Sequence, residues 1–391
     1  MRTSGTQATG IRTPIISPGD DLPRLVTEAL LAYCTEADTK LQDQDIIGVT
    51  EAVVARAQSN YATVEQIAAD VKAKFPTGTV GLVFPILSRN RFSILLRGIA
   101  MGAEKVVVQL SYPADEVGNH LISPAQLFDA GVNPYQDVFT EAEFRAKFGT
   151  LNHEFTAIDY LELYRSLGNV EIILAGDPCE ILRHTDQVIA CDIHTRAQTK
   201  QRLQAAGAGQ VYDLTEILNQ PIDGSGYNAK YGLLGSNKAD EGRVKLFPHS
   251  CEEFVAELQR QILAQTGATV EVLVYGDGAF KDPVGKIWEL ADPVVSPAFT
   301  AGLAGLPNEL KLKYIADNEF GDKRGDEARA AIVRRIEAKS RNLMGKDETE
   351  GTTPRRISDL VGSLCDLISG SGDKGTPVVL IRGYFDNYAS Q

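Results

Sequence analysis

The densest set of residues able to do chemistry lies in YGDGAFKDPVGKIWELADP, Tyr275 to Pro293. There Asp277, Lys281, Asp282, Glu289 and Asp292 crowd into one glycine-bearing segment. The segment follows TVEVLVYG, which reads as a strand, so the carboxylates gather at a strand's C-terminal end. Oxygen donors so placed suit magnesium or manganese, which can bridge a nucleotide's phosphates. Asp277 lies nearest the strand, where geometry is held best, and is the foremost expected ligand, with Asp282, Glu289 and Asp292 behind it. The competing reading is a solvated loop whose aspartates make turns. Trp288 reads as a packing residue rather than a platform for a base.

Familiar catalytic signatures are absent: no GxxxxGK(S/T) phosphate loop, no GxGxxG after a strand, no HExxH and no GxSxG elbow. AGAGQ, Ala206 to Gln210, stands after a helix and before a strand, the wrong order for a dinucleotide fingerprint, and reads as a helix C-cap. The five histidines share no ligand spacing. Cys34, Cys179, Cys191, Cys251 and Cys365 are odd in number and form no CxxC pair, so they read as reduced thiols of a cytoplasmic protein.

The elements that must position these residues follow from periodicity. PGDDLPRLVTEALLAYC places Leu22, Leu25, Val26, Ala29, Leu30 and Tyr33 at helical spacing, with Asp20 or Asp21 as N-cap and Pro23 in the first turn. Ile46, Ile47 and Val49 read as a buried strand, and the segment with Glu51 and Arg56 starts the next element. From Thr77 to Leu218 strands alternate with helices, which predicts a doubly wound parallel sheet and an independently folding domain inserted between residues 1–76 and 219–391. HSCEEFVAELQRQILAQTG predicts a helix opened by a Ser250–Glu253 capping box and closed at Gly267. Gly321 to Gly351 is dense in charge and reads as a solvated helix with a surface loop. A last helix carrying Ile357, Leu360, Val361, Leu364 and Leu367 leads into the strand PVVLIRG. The fold class is α/β.

With 391 residues, 43% hydrophobic, the chain can bury a substantial core. A net charge of −13 argues against a nucleic-acid partner, because no basic face is visible to neutralise phosphates. No apolar run is long enough to span a membrane, and the start lacks the apolar stretch of a signal peptide. Small-molecule substrates are the expected partners.

Four segments, in order, resemble the coenzyme F-420 gamma-glutamyl ligases. PGDDLPRLVTEALL with LQDQDIIGVTEAVVARAQ resembles that family's GDDL helix, acidic strand and SKAEG turn. KYGLLGSNKADEGRVKLFP resembles its NAGIDxSN segment, and GATVEVLVYGDGAFKDPVG its SD-bearing strand and loop. RRISDLVGSLCDLISGSGDKGTPVVLIRG resembles its C-terminal segment almost throughout. The resemblance says nothing of Thr77 to Leu218.

The resemblance implies GTP-dependent amide-bond formation: an acceptor carboxylate is phosphorylated, and the amino group of an amino acid such as L-glutamate attacks the acyl phosphate. It also implies divalent manganese or magnesium, a homodimer, and a mixed α+β core. Asp277 falls on the metal-binding Asp of the SD motif. Arg56 replaces the Lys of SKAEG, keeping the charge a phosphate wants, and Ser236 with Asn237 fall on the SN pair. Arg56 and Asp277 are therefore the expected catalytic residues. Asp20, Asp21, Glu51, Arg56, Ser236, Asn237 and Lys281 are expected at nucleotide or substrate. Three positions depart from the pattern: Leu234 stands where a second metal-binding Asp is expected, Gly278 replaces a hydroxyl, and Ser371 replaces a glutamine. Two alternatives stay open: a non-catalytic nucleotide- or metabolite-binding protein that keeps the ligase fold, and an oxidoreductase or transferase centred on the inserted sheet.

Overall fold

The computed structural model describes residues 4–154, 156–278, 292–352, 355–369 and 373–390. In chain order its strands are β1 (Gln7–Ile11), β2 (Ile46–Thr50), β3 (Tyr61–Thr63), β4 (Thr79–Val83), β5 (Lys105–Leu110), β6 (Phe139–Thr140) and β7 (Val170–Leu174). They continue with β8 (Gln187–Ala190), β9 (Gln210–Asp213), β10 (Asn237–Lys238), β11 (Arg243–Lys245), β12 (Glu271–Tyr275), β13 (Ala298–Phe299) and β14 (Val378–Arg382).

A five-stranded sheet runs β1-β14-β2-β12-β13. Only the β2/β12 pair is parallel, with Thr50 opposite Tyr275, so both strands end at the same edge. Its strands alternate strictly. Ile47, Val49, Val272, Val274 and Leu380 face the helices Leu22–Glu36 and Cys251–Thr266. Ile46, Leu273, Tyr275, Val379 and Ile381 face the helix Ile357–Ser369. Side chains one residue apart point to opposite faces, so a strand buried on both sides must be apolar throughout, as IIGV and VVLI are.

The six-stranded sheet runs β6-β7-β5-β4-β8-β9, parallel except for the edge strand β6. From β4 the chain winds to β5 and β7 on one side, then crosses to β8 and β9 on the other. This is the doubly wound arrangement the alternation predicts, with its topological switch between β4 and β8. A three-stranded sheet, β10-β11-β3, lies between the two larger ones in the chain.

The core of the six-stranded sheet does not stop at the sheet's own segment. Val80, Leu82, Val106 and Leu110 belong to one apolar cluster with Ile67 and Val71 of the helix Val64–Lys74 and with Leu233, Leu234, Val244, Leu246 and Phe247. The helix Phe92–Gly102 packs on Val64–Lys74 at glycine, where a Cβ on Gly102 would lie 2.5 Å from the Ala68 carbonyl oxygen.

Several helix ends follow from sequence. Asp21 caps Leu22–Glu36 by accepting from the Arg24 N–H at 3.3 Å, and Gly267 ends Cys251–Thr266 in a left-handed conformation. The capping box at Ser250 does not form. Ser250 takes φ +50, and its side chain makes no capping bond. The chain enters this helix instead through Gln58, which donates to the His249 carbonyl at 2.6 Å and accepts from the His249 N–H at 3.2 Å. That long-range clamp overrides the local motif.

Candidate active-site cleft

A cleft of about 850 Å³ opens between the five- and six-stranded sheets. One wall begins at the shared edge of β2 and β12, where Thr50 leads into Glu51 and Tyr275 into Gly276 and Asp277. Thr376, Pro377 and Asp366 continue this wall. The opposite wall is the loop Ile86 to Arg91 that leaves β4, with Asn119, His153 and Tyr160.

The loop after β4 is held by its own polar contacts. The Tyr164 hydroxyl accepts from the Ser88 N–H at 2.9 Å and donates to the Ile86 carbonyl at 2.6 Å. Asp115 accepts from the Leu87 N–H, and the Ser88 hydroxyl accepts from the Arg91 N–H, each at 3.0 Å. So fixed, the Arg91 guanidinium reaches across the cleft. One nitrogen lies 2.6 Å from Asp292 Oδ1 and another 2.6 Å from Asp277 Oδ2. Burial works against the charge on Arg91, but Asp292, Asp277 and Glu51 outweigh it, and its pKa is raised.

Asp292 is 2% exposed, and its second oxygen accepts from the Asp277 N–H at 2.8 Å. Gly276 permits this approach, since a Cβ there would sit 2.5 Å from Asp292 Oδ2. Asp366, on the helix Ile357–Ser369, accepts from the Gly278 N–H at 2.9 Å, and burial raises its pKa. Glu51, 4% exposed, lies 2.6 and 2.9 Å from Lys245 Nζ on β11. Burial pushes its carboxyl up, and Lys245 opposes that push. Burial pushes the His153 imidazole below its ordinary value.

The residues singled out by sequence separate into three groups. Glu51, Arg56, Asn237, Asp277 and Asp292 all line the cleft. Arg56 is exposed and anchored by its Nε, which donates to the Ile16 carbonyl at 2.5 Å. Asp20, Asp21 and Ser236 lie outside the lining and serve local structure: Asp20 accepts from the Ser17 N–H at 2.6 Å, and Ser236 donates to the Leu233 carbonyl at 2.7 Å. Lys281, Asp282 and Glu289, like Trp288 and Ser371, lie outside the described residues.

Arg89, Arg91, Asp366 and Lys245 were not legible as site residues. Arg89 and Arg91 carried one usable signal, their place just past the C-terminal end of the first strand of a doubly wound sheet, where such folds bind ligands.

For a divalent metal, Asp277 and Asp292 provide two carboxylates of the hard-oxygen type converging on one point, the Arg91 guanidinium. Among the described residues no third His, Cys, Asp or Glu completes a metal-binding group, and Leu234 is buried in the core. Two carboxylates suit magnesium or manganese that arrives with phosphate oxygens, the usual arrangement for such ions, rather than an all-protein cage.

No curated protein matches the chain. The sequence profile of the family described as F420-0:Gamma-glutamyl ligase matches residues 10–383, which includes both walls of the cleft and the whole six-stranded sheet. The chain belongs to the F420-0:gamma-glutamyl ligase family, a family of ligases.

Proposed function

We propose that this protein is a GTP-dependent ligase that joins an amino acid such as L-glutamate to a carboxylate-bearing cofactor or metabolite in the cleft between the two large sheets. The observation that carries this reading is the convergence there of carboxylates and guanidiniums from both walls: Glu51, Asp277 and Asp292 with Arg56, Arg89 and Arg91. Acyl-phosphate chemistry needs both. Cationic side chains hold phosphate and acceptor carboxylate, and a divalent ion on the nucleotide's phosphates supplies charge neutralisation during transfer.

Phosphoryl transfer from GTP to the acceptor carboxylate gives GDP and an acyl phosphate. The amine then attacks the acyl carbon, phosphate leaves, and the amine loses a proton as the amide forms. In this reading the exposed Arg56 and Arg89 orient the anionic groups, and Asp277 and Asp292 are the residues that would hold the metal. The buried Glu51–Lys245 pair fixes the floor beneath them. Five unpaired cysteines support a reducing, cytoplasmic setting, and among the described residues no helix is long and apolar enough to cross a membrane. A homodimer belongs to the same proposal and is decided by sedimentation equilibrium.

The test is phosphate release from GTP with manganese, a carboxylate acceptor panel and L-glutamate. Release that depends on glutamate, with a new amide seen by mass spectrometry, supports the ligase. Nucleotide binding without turnover under every acceptor would favour a non-catalytic binding protein, the reading that Leu234 in place of a carboxylate supports.

A further inference from the structure

Arg91 is the cation that the chain itself places between the two carboxylates a metal would use. It comes from the loop after β4, so the six-stranded sheet contributes directly to the metal position on the other wall. We propose that Arg91 gates this position: its guanidinium and a divalent ion compete for Asp277 and Asp292, and a polyphosphate that draws the guanidinium away admits the metal. The inference rests on the ligase reading for what fills the cleft. The competition concerns only this chain and an ion.

The geometry sets the two states against each other. Arg91 meets Asp292 Oδ1 and Asp277 Oδ2 at 2.6 Å through separate nitrogens, so the guanidinium fills the gap between the carboxylates. Magnesium or manganese held by these two oxygens would stand about 2.1 Å from each, where the guanidinium now sits, and the two cations would repel. Removing the guanidinium with nothing in exchange strands a charge whose side chain is 14% exposed. Phosphate offers the exchange, because its oxygens match a guanidinium fork as a carboxylate's do. Arg89, exposed at the mouth of the same loop, extends the positive surface along which a phosphate chain would lie.

Linkage then fixes the behaviour. Metal alone must displace Arg91 unaided and binds weakly, whereas metal and polyphosphate each remove an obstacle to the other, so their affinities rise together and by the same factor. An enzyme so built would hold its metal only when the phosphate donor is present.

The test uses the full chain, manganese, and inorganic tripolyphosphate as a probe free of any base. Calorimetric titration of manganese alone should give an affinity about tenfold or more higher for Arg91→Gln than for wild type, once the competing guanidinium is gone. Tripolyphosphate, corrected for its own manganese binding, should improve manganese affinity more in wild type than in Arg91→Gln. Asp277→Asn should lose the manganese site in either background. Should Arg91→Gln fail to fold, Arg91→Lys keeps a charge but cannot bridge both carboxylates, and it should still bind manganese more tightly than wild type. Equal or weaker manganese binding in the folded variant overturns the gate, as does unchanged binding in Asp277→Asn. The gating pattern without any glutamate-dependent turnover would sink the ligase reading alone.

Discussion

Glu51 and Lys245 show how burial decides what a charged pair is worth. Both are nearly buried, 4% and 7% exposed, so neither charge is compensated by water. Lys245→Met should cost about 3–5 kcal/mol in urea unfolding, because it leaves Glu51 buried and unpaired. Adding Glu51→Gln should restore much of that loss, and equal stability of single and double variants would show that the pair is not coupled. Arg56 lies at the other extreme, exposed and tied, among the described residues, by its Nε bond to Ile16. Arg56→Ala should weaken GTP binding by about 1–3 kcal/mol, the scale of a charge-assisted hydrogen bond, with little change in melting. Unchanged affinity by calorimetry would remove Arg56 from the site. Arg56 was singled out because the resembling family carries a Lys at this place, just past a buried strand; the structure sets it in the last turn of the helix Glu51–Ala57. The role of Lys245 was not legible, because nothing in RVKLFP marks a lysine that will be buried.

At the scale of elements, the helix Arg196–Ala205 begins beside the switch between β4 and β8, and Glu116 sits on the amides that lead into it. The Glu116 carboxylate accepts from the N–H groups of Ile193, His194 and Thr195. Burial, with Asp192 adding repulsion, outweighs those bonds and pushes Glu116 up to about 7. An acid raised from its unfolded value of about 4.3 favours the folded state while protonated. That stabilisation is complete below about pH 4.3 and lost as pH rises through 7, so melting temperature should fall between pH 5 and 7. Glu116→Gln should flatten that fall, and an identical slope in the variant would mean another group titrates. Element boundaries were largely readable from periodicity. The failure at Ser250 has a physical cause, since a capping box needs an extended N-cap and the Gln58–His249 clamp imposes φ +50 instead.

At the scale of the molecule, the six-stranded sheet shares its core with the helix Val64–Lys74 and with residues 231–247. A cut at residues 77 and 218 would expose Val80, Leu82 and Val106 where Ile67, Val71, Leu246 and Phe247 now cover them. We therefore expect a fragment of residues 61–247 to melt cooperatively and a fragment of residues 77–218 to melt more than about 10 °C lower or not at all. Equal melting by circular dichroism would restore the shorter segment as the folding unit. The same joining of parts builds the cleft, because neither sheet alone holds both Arg91 and Asp277.

The sequence by itself determined the long apolar strands of the two large sheets, several of the helices, the parallel winding of the central segment and the family this protein belongs to. Those depend on interactions among near neighbours: alternation on a strand, spacing on a helix, a cap three residues away. Only the tertiary structure decided which charges meet. Arg91 lies 186 positions from Asp277 and 201 from Asp292, and no local pattern encodes a contact at that separation. It exists because the loop after β4 is pinned by Tyr164 and Asp115 while β12 is pinned against β2, and close packing holds both to a common edge.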